Sequence, residues 1–169
     1  MPEFVRQLAR YRVRLGFVAA AGALWLSRPT ATSLASGAAI AVAGEGLRIW
    51  AAGHLEKGSE VTASGPYRLS RHPLYLGSAL IGAGFAVASA SLPAASLVVV
   101  YLMLTYGAAI RSEEAHLTEK FGAAYPEYKE GRSTQADRRF SLQRVVRNRE
   151  YRAAVGLLVM LALLAWKVL

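Results

Sequence analysis

Residues 73–110 read PLYLGSALIGAGFAVASASLPAASLVVVYLMLTYGAAI, thirty-eight positions without a charged side chain. A single α-helix rises 1.5 Å per residue, so a helix of that length would be about twice as long as a bilayer core is thick. Ala90-Ser91-Leu92-Pro93 supplies the break, because proline ends one helix or opens the first turn of the next. The run therefore predicts a hairpin of two membrane-spanning helices, at about 74–90 and 93–110.

Three further apolar segments flank this hairpin. Residues 15–27 are uncharged, with Trp25 near the far end, where an aromatic belt residue belongs. Residues 32–50 are rich in alanine, glycine and serine, a composition that lets helices approach closely in lipid. The turn Ser27-Arg28-Pro29-Thr30 is expected to join these two as a tight hairpin. A last apolar segment covers 153–169, with Lys167 placed to snorkel at its end. Ahead of the first segment, Arg6, Arg10, Arg12 and Arg14 alternate with Phe4, Val5, Leu8, Tyr11 and Val13, as in an interfacial amphipathic turn. No cleavable signal peptide is expected there. The fold class is all-α. It is a single-domain integral membrane helical bundle over 1–169, with about five transmembrane helices arranged as two hairpins plus a C-terminal span. Its core covers about 45–132, and a basic juxtamembrane segment and the last span cover 133–169.

Composition narrows the function. Hydrophobic residues make up 54% of the chain and the formal net charge is +9. In a soluble protein such a charge would suggest nucleic acid. Here the arginines flank apolar runs and form no separate basic domain, so nucleic acid is set aside. There is no cysteine, which excludes disulfides, thiolate metal sites and a cysteine nucleophile. With the N-terminus inside, all but Arg28 and Lys167 of the 20 lysines and arginines fall on the inner side. The positive-inside rule then predicts that the N-terminus is cytoplasmic and the C-terminus outside, and a bacterial cytoplasmic membrane is the expected location. Polar residues 51–72 and 111–150 face the same compartment. The later stretch holds Arg132, Arg138, Arg139, Arg144, Arg147 and Arg149, a basic juxtamembrane patch.

Chemistry concentrates in residues 64–77, SGPYRLSRHPLYLG. Gly65-Pro66 signals a turn, and Pro73 suits the first turn of a helix. Amides of that first turn, with the helix dipole behind them, suit a carboxylate or a phosphate. Arg71 and His72 add donors; Tyr67 and Tyr75 add aromatic faces for a ring or a cation. The plainer alternative is a loop whose arginines anchor to lipid headgroups. Glu113 and Glu114, just past the uncharged run, offer counter-charge to a cation, or form a solvated face with Arg111 and Lys120. Glu45 and Arg48, three apart, read as a structural ion pair. Residues 111–131 continue the helix amphipathically through Leu117, Phe121, Tyr125 and Tyr128, interrupted at Gly122 and Pro126. His54 reads as a loop residue. His54, His72 and His116 show no metal-ligand spacing, and neither dinucleotide nor P-loop glycine patterns occur.

GPYRLSRHPLYLG, followed about 40 residues later by EEAHLTEKFGAAYPEYKEGR, resembles the isoprenylcysteine carboxyl methyltransferases and the related bacterial phospholipid methyltransferases. The resemblance implies a multi-span enzyme that methylates a lipid-like or prenylated acceptor with S-adenosylmethionine, bound in a cytoplasmic pocket roofed by residues 51–72 and 111–131. It implies that Tyr67, His72, Pro73, Leu74 and Tyr75 contact that cofactor, with Glu113 nearby. The segment before the turn, holding Val61, Thr62 and Ser64, would contribute too. Arg71 and Glu114 are then the candidates for orienting the acceptor. Lipid bilayer and lipid-like acceptor are the partners implied; nucleic acid and metal are not. Two alternatives are a sterol-type NADPH-dependent membrane reductase and a non-catalytic membrane protein on the same scaffold. The acceptor is open among phospholipid amine, prenylated carboxylate, isoprenoid and small thiol.

Overall fold

A computed structural model describes residues 3–132 and 137–169, without the side chains of residues 3–6, 8–10 and 12. The interfacial face expected from Arg6, Arg10 and Arg12 therefore lies outside the described residues. The described regular structure is helical throughout: α1 (Glu3–Leu26), α2 (Ala31–His54), a 3-10 turn (Gly65–Arg68), α3 (Pro73–Ala88), α4 (Leu92–Phe121), α5 (Ala124–Lys129), α6 (Leu142–Arg147) and α7 (Tyr151–Trp166).

The break inside the uncharged run falls where expected. Ala90 takes a left-handed φ of +44°, and α4 opens on Ser91 with a proline in its first turn. The start of α2 is fixed by a reciprocal cap. Thr30 Oγ1 accepts from the Ser33 amide at 3.1 Å, and Ser33 Oγ accepts from the Thr30 amide at 2.9 Å. Helix α2 runs further than expected, so His54 is a buried helical residue and not part of a loop. Gly122 ends α4 as expected, whereas Pro126 sits in the first turn of α5, where proline costs no hydrogen bond.

Packing centres on a seam of small residues between α2 and α3. A Cβ built on Gly84 would lie 2.5 Å from the Gly37 carbonyl and 2.6 Å from the Ala41 amide. One on Gly44 would lie 2.6 Å from the Gly77 carbonyl. Backbone thus meets backbone, and Ala41 and Ala88 between these contacts are fully buried. The tight α1–α2 hairpin does not form. The small face of α2 is filled by α3, and α1 packs along α4 instead. There Gly16 lies under Tyr101 and Gly22 under Leu97.

The two ends of the bundle differ. At one end the Arg28 amide donates to the Ser89 carbonyl at 2.8 Å. Lys167 Nζ donates to the Leu24 and Ser27 carbonyls, each at 2.7 Å. Lys167 therefore caps α1 rather than snorkelling. At the other end, residues 137–150 wrap the C-terminus of α2. Arg144 Nε donates to the Gly53 carbonyl at 2.7 Å, and Asn148 Nδ2 to those of Ala52 and Leu55 at 2.9 and 3.0 Å. These bonds satisfy carbonyls that a helix end leaves without partners. Arg138 and Arg144 stand 3.7 and 3.6 Å from Glu56, which Arg147 also grips. Three arginines of the basic stretch are thus turned onto the protein itself.

Among the described residues α4 alone is long and apolar enough to cross a membrane; Val13–Leu26, Pro73–Ala88 and Tyr151–Trp166 are shorter apolar helices. At 1.5 Å per residue, 30 residues of α4 make about 45 Å, so its last three turns, charged from Arg111 onward, project beyond an apolar layer of roughly 30 Å.

The seam gives a direct test. Gly84→Val should destabilise the protein by about 1–3 kcal/mol through backbone overpacking. Gly46→Ala, whose Cβ meets nothing within 4 Å, should leave thermal unfolding in detergent unchanged or slightly raised. Equal melting temperatures for the two variants would contradict the seam.

Candidate active site

The turn at Gly65–Arg68 is built around His54. Gly65 has φ +56°, and a Cβ there would lie 2.6 Å from the His54 ring, so both conformation and space require glycine. The turn buries Pro66 and Tyr67. The Tyr67 carbonyl accepts a hydrogen bond from the Tyr128 hydroxyl at 2.6 Å, which ties the turn to α5. The Tyr67 hydroxyl itself is buried with no hydrogen-bond partner. Burial first, then the negative charge of Glu113, holds this phenol well above its usual pKa.

Helix α3 starts at His72, whose side chain does not cap it. The ring instead places Nε2 3.1 Å from Glu114 Oε1. The other carboxylate oxygen, Oε2, accepts from Lys129 Nζ at 2.8 Å. Glu114 stands beyond the apolar part of α4, where the Lys129 hydrogen bond, aided by His72, pulls its carboxyl down to about 2. His72 also meets Tyr75 edge-on, with ring centroids 6.0 Å apart, and Tyr75 meets Tyr106 at 5.3 Å.

Two clefts flank this constellation. A polar one of about 590 Å³ is lined by Tyr67, Arg68, Ser70, Arg71, Tyr128 and Lys129. An apolar one of about 300 Å³ lies among α1, α3, α4 and α7, lined by Ala20, Ile81, Phe85, Leu102, Leu157 and Met160, and it reaches Arg48, Ser78 and Tyr106. Arg48 crosses α3 where Gly77 lacks a side chain; a Cβ there would lie 2.5 Å from Arg48 Cγ. Its Nε donates to Glu150 Oε1 at 2.6 Å, and Nη1 donates to Ser78 Oγ and, at 3.4 Å, to the Leu74 carbonyl. Glu45 stands 3.7 Å from the same guanidinium.

The structure gathers Tyr67, Arg71, His72 and Glu114 on one side of the bundle, with Tyr75 behind His72. Other expected residues stand apart from the polar cleft. Thr62 is buried, its hydroxyl accepting from the Glu56 amide at 3.2 Å. Ser64 is buried behind the turn, Val61 is half-buried, and Pro73 is buried in the first turn of α3. The Leu74 carbonyl serves Ser78 and Arg48. Glu113 is exposed, and its neighbour Glu114 makes the contacts to His72 and Lys129. Sequence reading missed Lys129 and Tyr128 as lining residues, and missed Glu150 as the partner of Arg48. The signal for Glu150 was there: a lone acid after a run of arginines, at the head of an apolar helix.

The sequence profile of the phospholipid methyltransferases matches residues 15–124. The chain belongs to the phospholipid methyltransferase family. The match takes in the Gly65–Arg68 turn, α3 and α4, and stops before Lys129 and Glu150. Curated relatives of this methyltransferase-family chain include the nickel-cobalt-cadmium resistance protein NccN of Alcaligenes xylosoxydans xylosoxydans, 31% identical over 57% of this chain and 45% of that one. The cobalt-zinc-cadmium resistance protein CzcN of Cupriavidus metallidurans is 32% identical over 63% of this chain and 47% of that one. The chain thus spans about half the length of these relatives. No solved structure matches. Among the described residues no three histidine, aspartate or glutamate side chains gather as a metal site would require.

Because the Glu114 carboxyl lies below its unfolded value, its pairing stabilises the fold above about pH 4.5, and that contribution is lost as pH falls toward 2. Wild type should therefore melt above Glu114→Gln at neutral pH, and the gap should close through that acid window. A gap independent of pH would refute the pairing with Lys129 and His72.

Proposed function

We propose that the chain is an S-adenosylmethionine-dependent methyltransferase acting, like the isoprenylcysteine carboxyl methyltransferases, on a lipid-like or prenylated acceptor at the membrane surface. One observation carries this reading: in a member of the phospholipid methyltransferase family, Tyr67 and Arg71 of the motif line a polar cleft, and the same bundle holds an apolar one among α1, α3, α4 and α7. A water-soluble cofactor and an apolar acceptor need such a pair of sites.

The residues present fit the cofactor. The polar cleft lies within the usual range of ligand pockets, roughly 300–1,000 Å³. Arg68, Arg71 and Lys129 suit its carboxylate; Tyr67 and Tyr128 offer faces to an adenine or a cation, and the buried Tyr67 hydroxyl has a hydrogen bond still to make. When bound, S-adenosylmethionine supplies a methyl group on a cationic sulfur. The chain's own part is to position, to exclude water and to hold charge. His72 and Glu114, locked by Lys129, keep the start of α3 in place, and Tyr75 and Tyr106 continue this wall toward the apolar cleft.

In this reading five helices, α1–α4 and α7, span the membrane. Arg28 and Lys167 are the basic residues at the end that holds the Ser27 and Ser89 turns. Placing that end outside keeps the arginine-rich end, with the polar cleft and the N-terminus, in the cytoplasm.

Arg71→Ala should weaken S-adenosylmethionine binding to purified protein about tenfold or more, the worth of one charge-assisted contact, while thermal unfolding without ligand stays put. Mass spectrometry of lipid extract incubated with methyl-labelled cofactor should then show a labelled lipid. Absence of cofactor binding by wild type would refute the reading.

A further inference from the structure

The short helix α6 and the residue after it are amphipathic in an inverted sense. Their polar side chains face the protein: Arg144 and Asn148 donate to carbonyls at the end of α2. The apolar ones face away from it: Leu142 and Val146, one turn apart, are 69% and 64% exposed. A surface helix in water shows the opposite arrangement, with its apolar stripe on the core. The outer face of α6 therefore suits an apolar medium.

The arginines of this stretch divide into two sets. Arg138, Arg144 and Arg147 converge on Glu56. Arg139, Arg149 and Arg152 are exposed and make no ion pair among the described residues. The sole acid between positions 138 and 152 is Glu150, which is buried and bonded to Arg48. The outward surface thus carries uncompensated positive charge on both sides of Leu142 and Val146. An acidic protein or a nucleic acid would meet the charge without a use for the bare leucine and valine. A zwitterionic leaflet would cover those two and leave the charge unmet. An anionic leaflet answers both. Position agrees. Tyr151 opens α7 after three intervening residues, and exposed Val155 and Leu158 continue its face at helical spacing. An exposed tyrosine at the head of an apolar helix suits the headgroup level.

We propose that α6 and its flanking arginines form a docking surface for anionic phospholipid in the leaflet where α7 enters. Leu142 and Val146 seat at the boundary of headgroups and acyl chains, and Arg139, Arg149 and Arg152 hold the lipid phosphates. The surface lies beyond residues 15–124, so the family match assigns it nothing. This inference rests on the reading of α7 as a span, but it needs no cofactor and no acceptor.

The chain has no cysteine, so Leu142→Cys in the full chain accepts a single fluorophore. The labelled protein is placed in phosphatidylcholine nanodiscs that contain, at equal mole fraction, either brominated phosphatidylglycerol or brominated phosphatidylcholine. Bromine quenches on contact, so the two titrations give the relative affinity of each lipid for this surface. Phosphatidylglycerol should be preferred by about tenfold or more. Arg139→Gln combined with Arg152→Gln should cut that preference at least about threefold. Raising salt from about 0.1 to about 1 M should do the same with the arginines intact, and it decides the matter if the double variant fails to fold. An excess of soluble glycerol phosphate should leave the preference standing. A fluorophore at Leu158→Cys should be quenched by both lipids alike. Equal quenching by the two lipids at Leu142→Cys, a preference indifferent to salt, or its loss to glycerol phosphate overturns the surface. With Leu158→Cys quenched, that result leaves the span standing; an unquenched Leu158→Cys refutes the span and the surface together.

Discussion

The close approach of α2 and α3 is the constraint on which the rest depends. Glycines at 37 and 44 face glycines at 84 and 77, so the helices meet backbone to backbone. This sets the register between them. Because Gly77 has no side chain, the alkyl stem of Arg48 crosses α3 and its head reaches Leu74, Ser78 and Glu150. A larger residue at 77 would push Arg48 away from Glu150 at the head of α7. Helix packing and site chemistry are therefore one problem in this protein: dispersion between small residues sets where a charged group stands.

Charge is handled by enclosure. Glu45, Arg48 and Glu150 are joined from three positions on two helices, and Glu114 is held between His72 and Lys129. Around the end of α2, three arginines converge on Glu56 while Arg144 and Asn148 occupy the last carbonyls of the helix. Phe140 packs against Gly53 and His54, and His54 packs against Gly65. The segment after residue 136 thus braces the turn that presents Tyr67, although it lies outside the stretch matched to the family.

Helix breaks were legible in the sequence because they depend on local chemistry. Pro93 after Ala90-Ser91, Gly122, and Pro73 opening α3 each act within one turn of chain. The cluster of Tyr67, Arg71, His72 and Glu114 was legible as a motif, since its two halves flank a hairpin of readable length. What escaped was pairing at a distance. Arg48 looked toward Glu45, three residues away, but its closest acid is Glu150, 102 positions on. The α1–α2 hairpin was read from a short turn, yet turn length does not say which face of α2 is smallest. Nor did Arg138, Arg144 and Arg147 reveal that Glu56 and a helix carbonyl would receive them.

The cleft between the Gly65–Arg68 turn and α5 is the proposed S-adenosylmethionine site. Ultraviolet cross-linking of methyl-labelled cofactor to the full chain, followed by peptide mapping, tests it most directly. Label is expected on peptides containing Tyr67 or Tyr128, suppressed by excess unlabelled cofactor. Suppressible label confined to other peptides, or no suppressible label at all, would contradict it.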